Sequence, residues 1–286
     1  MDDSEPSATA NFAAFARAAH QILDHPRIFD DPLAVRILAS DGEAQVRARA
    51  DNLQQPHSRA LRAYLALRSR YTEDELAQAV KRGVRQYVIL GAGLDTFAYR
   101  NPFSDADLRV FEVDHRATQT WKRVRLAEAQ IPVPESARFV PFDFENPSLF
   151  DALGRAGFAV KKHAFFSCLG VTRYVTRKST LRTLSSIAAS TPAGCEVVFD
   201  FSLPLPFAER FRRLPARARR LLGRKAGDLF IGYFDPPKLA ARLRRIGFQQ
   251  VEMIGPEEIN ARYCAGRQDG LTWESRSKAM LIKALV

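Results

Sequence analysis

The sequence predicts an α/β fold built on a doubly wound, mostly parallel, Rossmann-like sheet of seven strands. Two observations predict it. Short apolar runs alternate with helical patterns from residue 84 onward, and the first run ends in a glycine-rich turn, as a buried parallel strand does. Strands that alternate with helices are joined by right-handed crossovers, which places them parallel in one sheet. Two additions are predicted: a helical N-terminal extension over 1–80, and a helical lid insertion at about 203–237 within the domain formed by 81–286.

The N-terminal extension is predicted to be mostly helical. Ala-rich periodic stretches cover residues 11–23 and 32–39, and a longer one covers 56–80. The Asp31-Pro32 pair is typical of a helix start, because proline is tolerated at the first helical position. Three helices are therefore expected before the first strand.

Seven apolar runs then predict the strands of the sheet. Helical patterns at 117–130 and 179–190 separate some of them, and the last strand is expected to be antiparallel to the others. The predicted strands are 84–90, 108–113, 138–142, 163–168, 196–201, 249–254 and 278–285.

The predicted insertion at 203–237 interrupts the alternation of strands and helices. It carries five of the 16 prolines, a basic run over 210–225 and several aromatic residues. This content fits a lid over the pocket that binds the acceptor substrate of a transfer reaction. Arginines and aromatic rings together would suit a flat or apolar acid as that acceptor. The aromatic residues are Phe207, Phe211, Phe230, Tyr233 and Phe234.

Composition bounds the partners and the compartment. The net charge is +11, but much of the excess lies in the basic run, which also fits a solvated helix face or a phosphate-binding surface. No aromatic RNA-binding platform or recognition helix is evident, so nucleic acid is disfavoured as a partner. No apolar run reaches the roughly 18 residues of a membrane span. Three scattered cysteines predict a reducing, cytoplasmic setting without a disulfide framework or a metal site.

The first strand leads into Gly91-Ala92-Gly93, a turn in which a backbone without Cβ atoms can approach a ligand closely. The third glycine of a dinucleotide-binding GxGxxG motif is absent, because Thr96 holds its position. A loop that need not cradle a diphosphate fits S-adenosylmethionine (AdoMet) better than NAD. A purely structural turn is the alternative.

Acidic residues end the next two strands. Glu112 and Asp114 close the second, where a carboxylate can accept hydrogen bonds from both ribose hydroxyls; a helix N-cap by Asp114 is the alternative. Asp143 and Phe144 follow the third, where they can bind the adenine amino group and pack on its ring, or Asp143 can cap a turn. All these motifs fall on the carboxyl edge of one parallel sheet, where such ligands bind.

The segments GAGLDTFAYR (91–100) and FEVDHRATQTWKR (111–123) resemble the bacterial relatives of the leucine carboxyl methyltransferases, which are class I AdoMet-dependent O-methyltransferases. The resemblance runs from Arg17-Ala18 to GRQDGL near the C-terminus. It implies that Arg68 holds the methionyl carboxylate and that the Gly91 loop lies beside the methionine moiety. It also implies that Asp114, with Glu112, binds the ribose, and Asp143 with Phe144 the adenine.

The segment after the fourth strand departs from the family. Many members have Glu where this chain has Leu169, among the residues expected to border the cofactor, so a polar contact is lost. Tyr174 does match the family, and it is the candidate for contact with the methionine end or the acceptor; a packing role is its alternative. The extension over 1–80 is expected to pack on the cofactor site.

The function predicted from these residues is methyl transfer from AdoMet to a carboxylate or hydroxyl oxygen of a small acceptor, acidic or aromatic, by in-line displacement. No general base is evident. His163 starts the fourth strand at the wrong edge of the sheet, and His115 is expected to face the adenosine. Two other classes remain open: a catalytically silent protein that binds AdoMet or nucleic acid, and an NAD-dependent oxidoreductase.

Overall fold

The computed structural model describes residues 8–38, 40–204, 232–274 and 278–286. Over these ranges the chain forms one seven-stranded sheet in the order β3-β2-β1-β4-β5-β7-β6. The strands are β1 Gln86–Leu90, β2 Arg109–Asp114, β3 Ala137–Pro141, β4 Phe165–Cys168, β5 Glu196–Ser202, β6 Gln250–Ile254 and β7 Ala279–Leu285. The helices are α1 Ala8–Leu23, α2 Gly42–Ala48, α3 Ala50–Gln54, α4 Pro56–Lys81, α5 Arg116–Glu128, α6 Leu149–Arg155, α7 Arg177–Ser190, α8 Pro236–Arg245 and α9 Pro256–Tyr263.

The predicted fold class is confirmed. The first five strands pair in parallel, and β7 lies antiparallel between β5 and β6. All seven predicted runs form strands, with ends that differ by one or two residues. His163 lies outside β4, two residues before the strand begins, and is exposed.

Both faces of the sheet are covered, which explains why its central strands are apolar throughout. Along β1, Val88 and Leu90 point into one cluster, and Tyr87 and Ile89 point into the other. Helix α4 covers the face to which Tyr87 and Ile89 point. Helices α6, α7 and α8 cover the face to which Val88 and Leu90 point. The carboxyl ends of the parallel strands therefore open onto one edge between the two helical layers.

In the N-terminal extension, α1 and α4 form where helices were predicted and α2 and α3 were not predicted, and at residues 32–38 the prediction of a helix was wrong. These residues form a run of turns, since backbone N–H groups bond alternately three and four residues back. Asp31 explains the irregularity. Its buried carboxylate accepts the Leu33 N–H at 3.2 Å and also accepts the Thr96 hydroxyl from outside the segment. The carboxylate is therefore held by tertiary contacts and does not act as the N-cap of a regular helix.

The predicted lid at 203–237 lies mostly outside the described residues, and Phe207, Phe211 and Phe230 lie there with it. Its far end is described: Tyr233 bridges to Ser202 beside β5. Phe234 is buried and meets Phe201 edge to face, with ring centroids 6.3 Å apart. Phe234 therefore belongs to the core rather than to an acceptor pocket. Over the described ranges, no helix combines the length and apolar character needed to cross a membrane.

Candidate cofactor site

The glycine loop after β1 is tightly enclosed. Gly91 and Gly93 have φ values of 74° and 44°, which L side chains rarely adopt. A Cβ on Gly91 would collide with the Val171 side chain, and one on Gly93 would come within 2.9 Å of the Ala10 Cβ. The backbone of Ala92 at the loop centre bonds to the Val113 carbonyl at 3.1 Å. Glycine is thus required at both positions, because Val171, in the loop after β4, lies against Gly91 and Ala10, in α1, lies against Gly93.

Thr96, at the place of the third glycine, ties the loop to the N-terminal extension. Its hydroxyl donates to Asp31 Oδ2 at 2.7 Å, and Arg100 Nε lies 3.4 Å from Asp31 Oδ1. From the other side, Arg17 donates to the Leu94 carbonyl at 2.6 Å. Only a 3₁₀ turn, Phe97–Tyr99, follows the loop. A dinucleotide pyrophosphate would use an α-helix N-terminus at this point, so the geometry disfavours NAD.

Asp114 lies at the end of β2 and faces the glycine loop. Its Oδ2 accepts the Gly93 N–H at 2.6 Å, and its Oδ1 accepts the His115 N–H at 2.7 Å. Helix α5 begins at Arg116 with no side-chain cap, so the alternative of an N-cap by Asp114 is not what forms. Burial raises the pKa of this half-buried carboxyl, while the two backbone N–H groups act in the opposite direction. Each oxygen retains a lone pair for a ligand hydroxyl.

Glu112, the other acid of β2, is enclosed. Its carboxylate accepts hydrogen bonds from Lys122 Nζ at 2.7 Å and the Tyr99 hydroxyl at 2.6 Å. Both members of the ion pair have side chains that are 1% exposed. Burial raises the pKa of Glu112, and the Lys122 charge opposes that rise. This carboxylate holds α5 against the sheet and presents no accessible edge to a ribose.

The residues expected at the adenine end lie on the surface after β3. Asp143 is exposed, and its Oδ1 accepts the Glu145 N–H at 2.9 Å, so it does cap a turn as the alternative held. Phe144 is half-buried and meets Phe142 edge to face at 5.5 Å. These contacts leave part of the Asp143 carboxylate and the Phe144 ring open at the sheet edge.

Arg68 on α4 reaches the same edge, where it meets a buried acid that the sequence reasoning missed. Its Nη1 donates to Asp200 Oδ2 at 2.5 Å, the Tyr64 hydroxyl donates to the same oxygen, and the Gly170 N–H donates to Oδ1 at 2.6 Å. The cluster of Tyr64, Arg68, Gly170 and Asp200 therefore joins α4 to β5 and to the loop after β4. One signal was available: Asp200 is an acid inside the apolar run of β5.

The guanidinium of Arg68 keeps a buried donor unsatisfied. Its Nε–H is buried and finds no acceptor among the described residues. Asp200 engages Nη1, so the side-on edge formed by Nε and Nη2 is the part of the guanidinium that this ion pair does not use. A guanidinium edge of this kind binds a carboxylate with two parallel hydrogen bonds. Arg68 thus fits the role of holder for a ligand carboxylate.

The two remaining candidates, Leu169 and Tyr174, follow β4 in the chain. Leu169 is partly buried and packs against the core cluster under α4, so it contributes an apolar wall. Gly170, with a φ of 75°, lets the loop pass close to the Arg68 guanidinium: a Cβ there would lie 3.1 Å from Nη2. Tyr174 is 55% exposed, and its hydroxyl makes no hydrogen bond with any described residue. It lies in the turn that follows Gly170, where its N–H bonds to the Val171 carbonyl and the Arg173 guanidinium lies 5.9 Å from its ring centroid.

The leucine carboxyl methyltransferase family model matches residues 10–188. A Bacillus subtilis (strain 168) protein, YktD, is 32% identical over 95% of this chain and 96% of its own length, and is named as a candidate S-adenosyl-L-methionine-dependent methyltransferase. A Parafrankia sp. (strain EAN1pec) protein of the same description is 30% identical over 72% of this chain and 67% of its own.

Solved structures agree in fold. A candidate methyltransferase from Thermobifida fusca YX superposes with a TM-score of 0.55 at 17% identity, over 99% of this chain and 96% of that one. A DUF574-family protein from Streptomyces avermitilis MA-4680 gives a TM-score of 0.54 at 16% identity, over 99% and 98%. At such identities the likeness shows the fold alone. The family match and the full-length relative carry the assignment: this chain belongs to the leucine carboxyl methyltransferase family and is an S-adenosyl-L-methionine-dependent methyltransferase.

Proposed function

We propose that this methyltransferase transfers the AdoMet methyl group to an oxygen of a small-molecule acceptor. The open Nε–Nη2 edge of Arg68 carries the proposal, because it fits the methionyl carboxylate and so fixes which end of the cofactor lies under α4. Asp114 would receive the ribose hydroxyls, and Asp143 with Phe144 would hold the adenine. The glycine loop between these groups would contact the remainder of the cofactor.

An oxygen acceptor is favoured by the family's name, which describes methylation of a leucine carboxyl group. A carboxylate is already ionised at neutral pH and needs no general base. The ionisable hydroxyl and thiol at this edge are poor bases: burial, with the Asp200 charge, raises the pKa of Tyr64 and of Cys168. Both side chains stay protonated, so positioning of the acceptor is the main source of rate that the chain's own residues supply.

When bound, AdoMet supplies an electrophilic methyl group on a sulfonium. The chain's part is to hold that group in line with the acceptor oxygen and to keep the oxygen desolvated. Leu169 provides an apolar wall near this point, and the exposed Tyr174 hydroxyl is the candidate contact to the acceptor.

The experiment supplies methyl-labelled AdoMet with a panel of aromatic and aliphatic acids, alcohols and amines. Label that mild alkali releases as methanol marks a methyl ester, stable label on an alcohol marks an ether, and label on amines alone contradicts an oxygen acceptor. Tyr174→Phe is expected to lower kcat/KM for the acceptor about tenfold while the affinity for S-adenosylhomocysteine (AdoHcy) stays within about threefold, as expected for loss of one hydrogen bond. Equal loss of both would make Tyr174 a cofactor ligand.

A further inference from the structure

Asp200 occupies an unusual place for a charge. It lies in β5 among apolar residues and is 4% exposed. The pairing of Cys168 with Phe199 puts Asp200 one residue past the last β4–β5 pair, beside the loop that begins at Leu169. A buried carboxylate is costly unless it is paired and hydrogen-bonded, so its partners should indicate why it is there.

The partners of Asp200 leave its hydrogen-bonding capacity incomplete. An ionised carboxylate offers about four acceptor positions. Oδ2 accepts from Tyr64 and Arg68, whereas Oδ1 accepts only the Gly170 N–H among the described residues. The ion pair therefore combines an acceptor position on Asp200 that is not filled by a described residue with a donor that has no partner, the buried Nε–H of Arg68.

An open donor on a cation next to an open acceptor on an anion complements one kind of ligand in particular. The α-amino acid group carries a carboxylate and an ammonium on the same carbon, in the opposite arrangement of charge. A carboxylate alone would be satisfied by Arg68, and the second open position would then have no purpose. Leu169, the neighbouring side chain at the strand end, offers no polar atom for an ammonium.

We propose that Asp200 binds the α-ammonium of the cofactor's methionyl group, so that Arg68 and Asp200 together recognise the zwitterion. The inference rests on the proposed placement of the methionyl carboxylate at Arg68. It adds an anionic ligand residue, contributed by β5, that selects for the amino group. The competing role for Asp200 is to brace Arg68 without touching the ligand.

The test compares three ligands by titration calorimetry: AdoHcy, its analogue lacking the α-amino group, and 5′-methylthioadenosine, which lacks the whole amino acid. Wild-type protein is expected to bind AdoHcy at least tenfold more tightly than the desamino analogue. In Asp200→Asn that preference should fall to about threefold or less, with affinity for 5′-methylthioadenosine unchanged. The change in preference isolates the contact between Asp200 and the ammonium.

Glu196→Gln is the matched control, because Glu196 is a buried carboxylate on the same strand, paired with Arg82 and Lys283 at the opposite edge. It should leave all ligand ratios unchanged. If Asp200→Asn weakens AdoHcy and the desamino analogue equally, Asp200 only braces Arg68 and the proposal is overturned. Equal wild-type affinity for those two ligands overturns it without any variant. Neither result bears on whether the acceptor atom is oxygen, which the labelling experiment decides.

Discussion

Two arginines on α4 differ in how completely their donors are satisfied. Arg62 donates from Nε and Nη2 to the two oxygens of Asp24 at 3.0 and 2.9 Å, and from Nη1 to the Leu53 carbonyl. Arg68, six positions later, donates from Nη1 to Asp200, while its Nε–H has no acceptor among the described residues. Both pair with a buried acid. The Arg62 pair joins segments of the N-terminal extension, whereas the Arg68 pair keeps the donor that our proposal assigns to the cofactor's carboxylate.

The surroundings of the two pairs support this difference. Asp24 also contacts His20 Nδ1 at 2.9 Å, while His20 Nε2 accepts the Ile28 and Phe29 N–H groups at 3.1 and 3.2 Å. Since Nε2 accepts, the proton lies on Nδ1 and is donated to Asp24. Each guanidinium nitrogen of Arg62 and the His20 ring therefore bonds to an acceptor inside the N-terminal extension.

The largest effect should come from breaking the Arg62 pair. Arg62→Ala leaves the Asp24 carboxylate buried without its cation, which is expected to lower the free energy of unfolding by about 3–5 kcal/mol. Denaturant titration measures it. Arg70→Ala removes an exposed pair with Asp74 on the same helix and should cost at most about 1 kcal/mol. Similar losses in the two variants would show that the Arg62 pair does not anchor the extension.

Acid should weaken the same pair. Burial alone would raise the pKa of Asp24, but hydrogen bonds from His20 and Arg62, with the Arg62 charge, lower it from 3.8 to about 2. Because the folded pKa is the lower one, the stabilisation is present above pH 3.8 and is lost as pH falls towards 2; two pKa units correspond to about 2–3 kcal/mol. The difference in unfolding free energy between wild type and Asp24→Asn should shrink over that interval. A constant difference would contradict the lowered pKa.

A smaller effect is expected at Thr96, which joins the cofactor loop to the extension. Thr96→Val removes a hydroxyl donor to the buried Asp31 carboxylate and should cost about 1–3 kcal/mol in unfolding free energy. Thr120→Val, whose hydroxyl bonds only to its own exposed helix turn, is the control and should change stability by less than about 0.5 kcal/mol. If Thr96→Val is equally mild, the third-glycine position is not a structural anchor.

The sequence was sufficient for the sheet and for the loop that ends β1. Apolar periodicity reports burial directly, and the Gly91 turn is a local consequence of its residues. The strand pattern was sufficient to predict Asp114 at the carboxyl edge of the sheet, whereas Arg68 was predicted there only through the family resemblance. At residues 32–38 the periodic pattern favoured a helix, but the buried Asp31 carboxylate binds groups from distant segments and overrides that local preference.

Pairings between distant residues could not be predicted. Asp200 and Arg68 are 132 positions apart in the sequence. They meet because the end of β5 and the middle of α4 lie at the same edge of the sheet. A hydrophobic pattern predicts that a position is buried, but it does not predict which distant residue that position contacts. The same limit explains Glu112. Glu112 and Asp114 are two positions apart and share one face of β2, but the sequence does not show that Lys122 and Tyr99 enclose Glu112, whereas Asp114 at the strand end meets the glycine loop.

The comparison of the two arginines is tested most directly by titrating AdoHcy into Arg62→Lys and Arg68→Lys. Lysine keeps the positive charge at each position but has no planar edge for two parallel hydrogen bonds. Arg68→Lys is expected to weaken AdoHcy at least tenfold with little change in unfolding free energy, whereas Arg62→Lys should lower stability and leave the affinity of the folded protein within about twofold. Equal affinities in the two variants would contradict the account, because the open guanidinium edge would then not be the cofactor's carboxylate site.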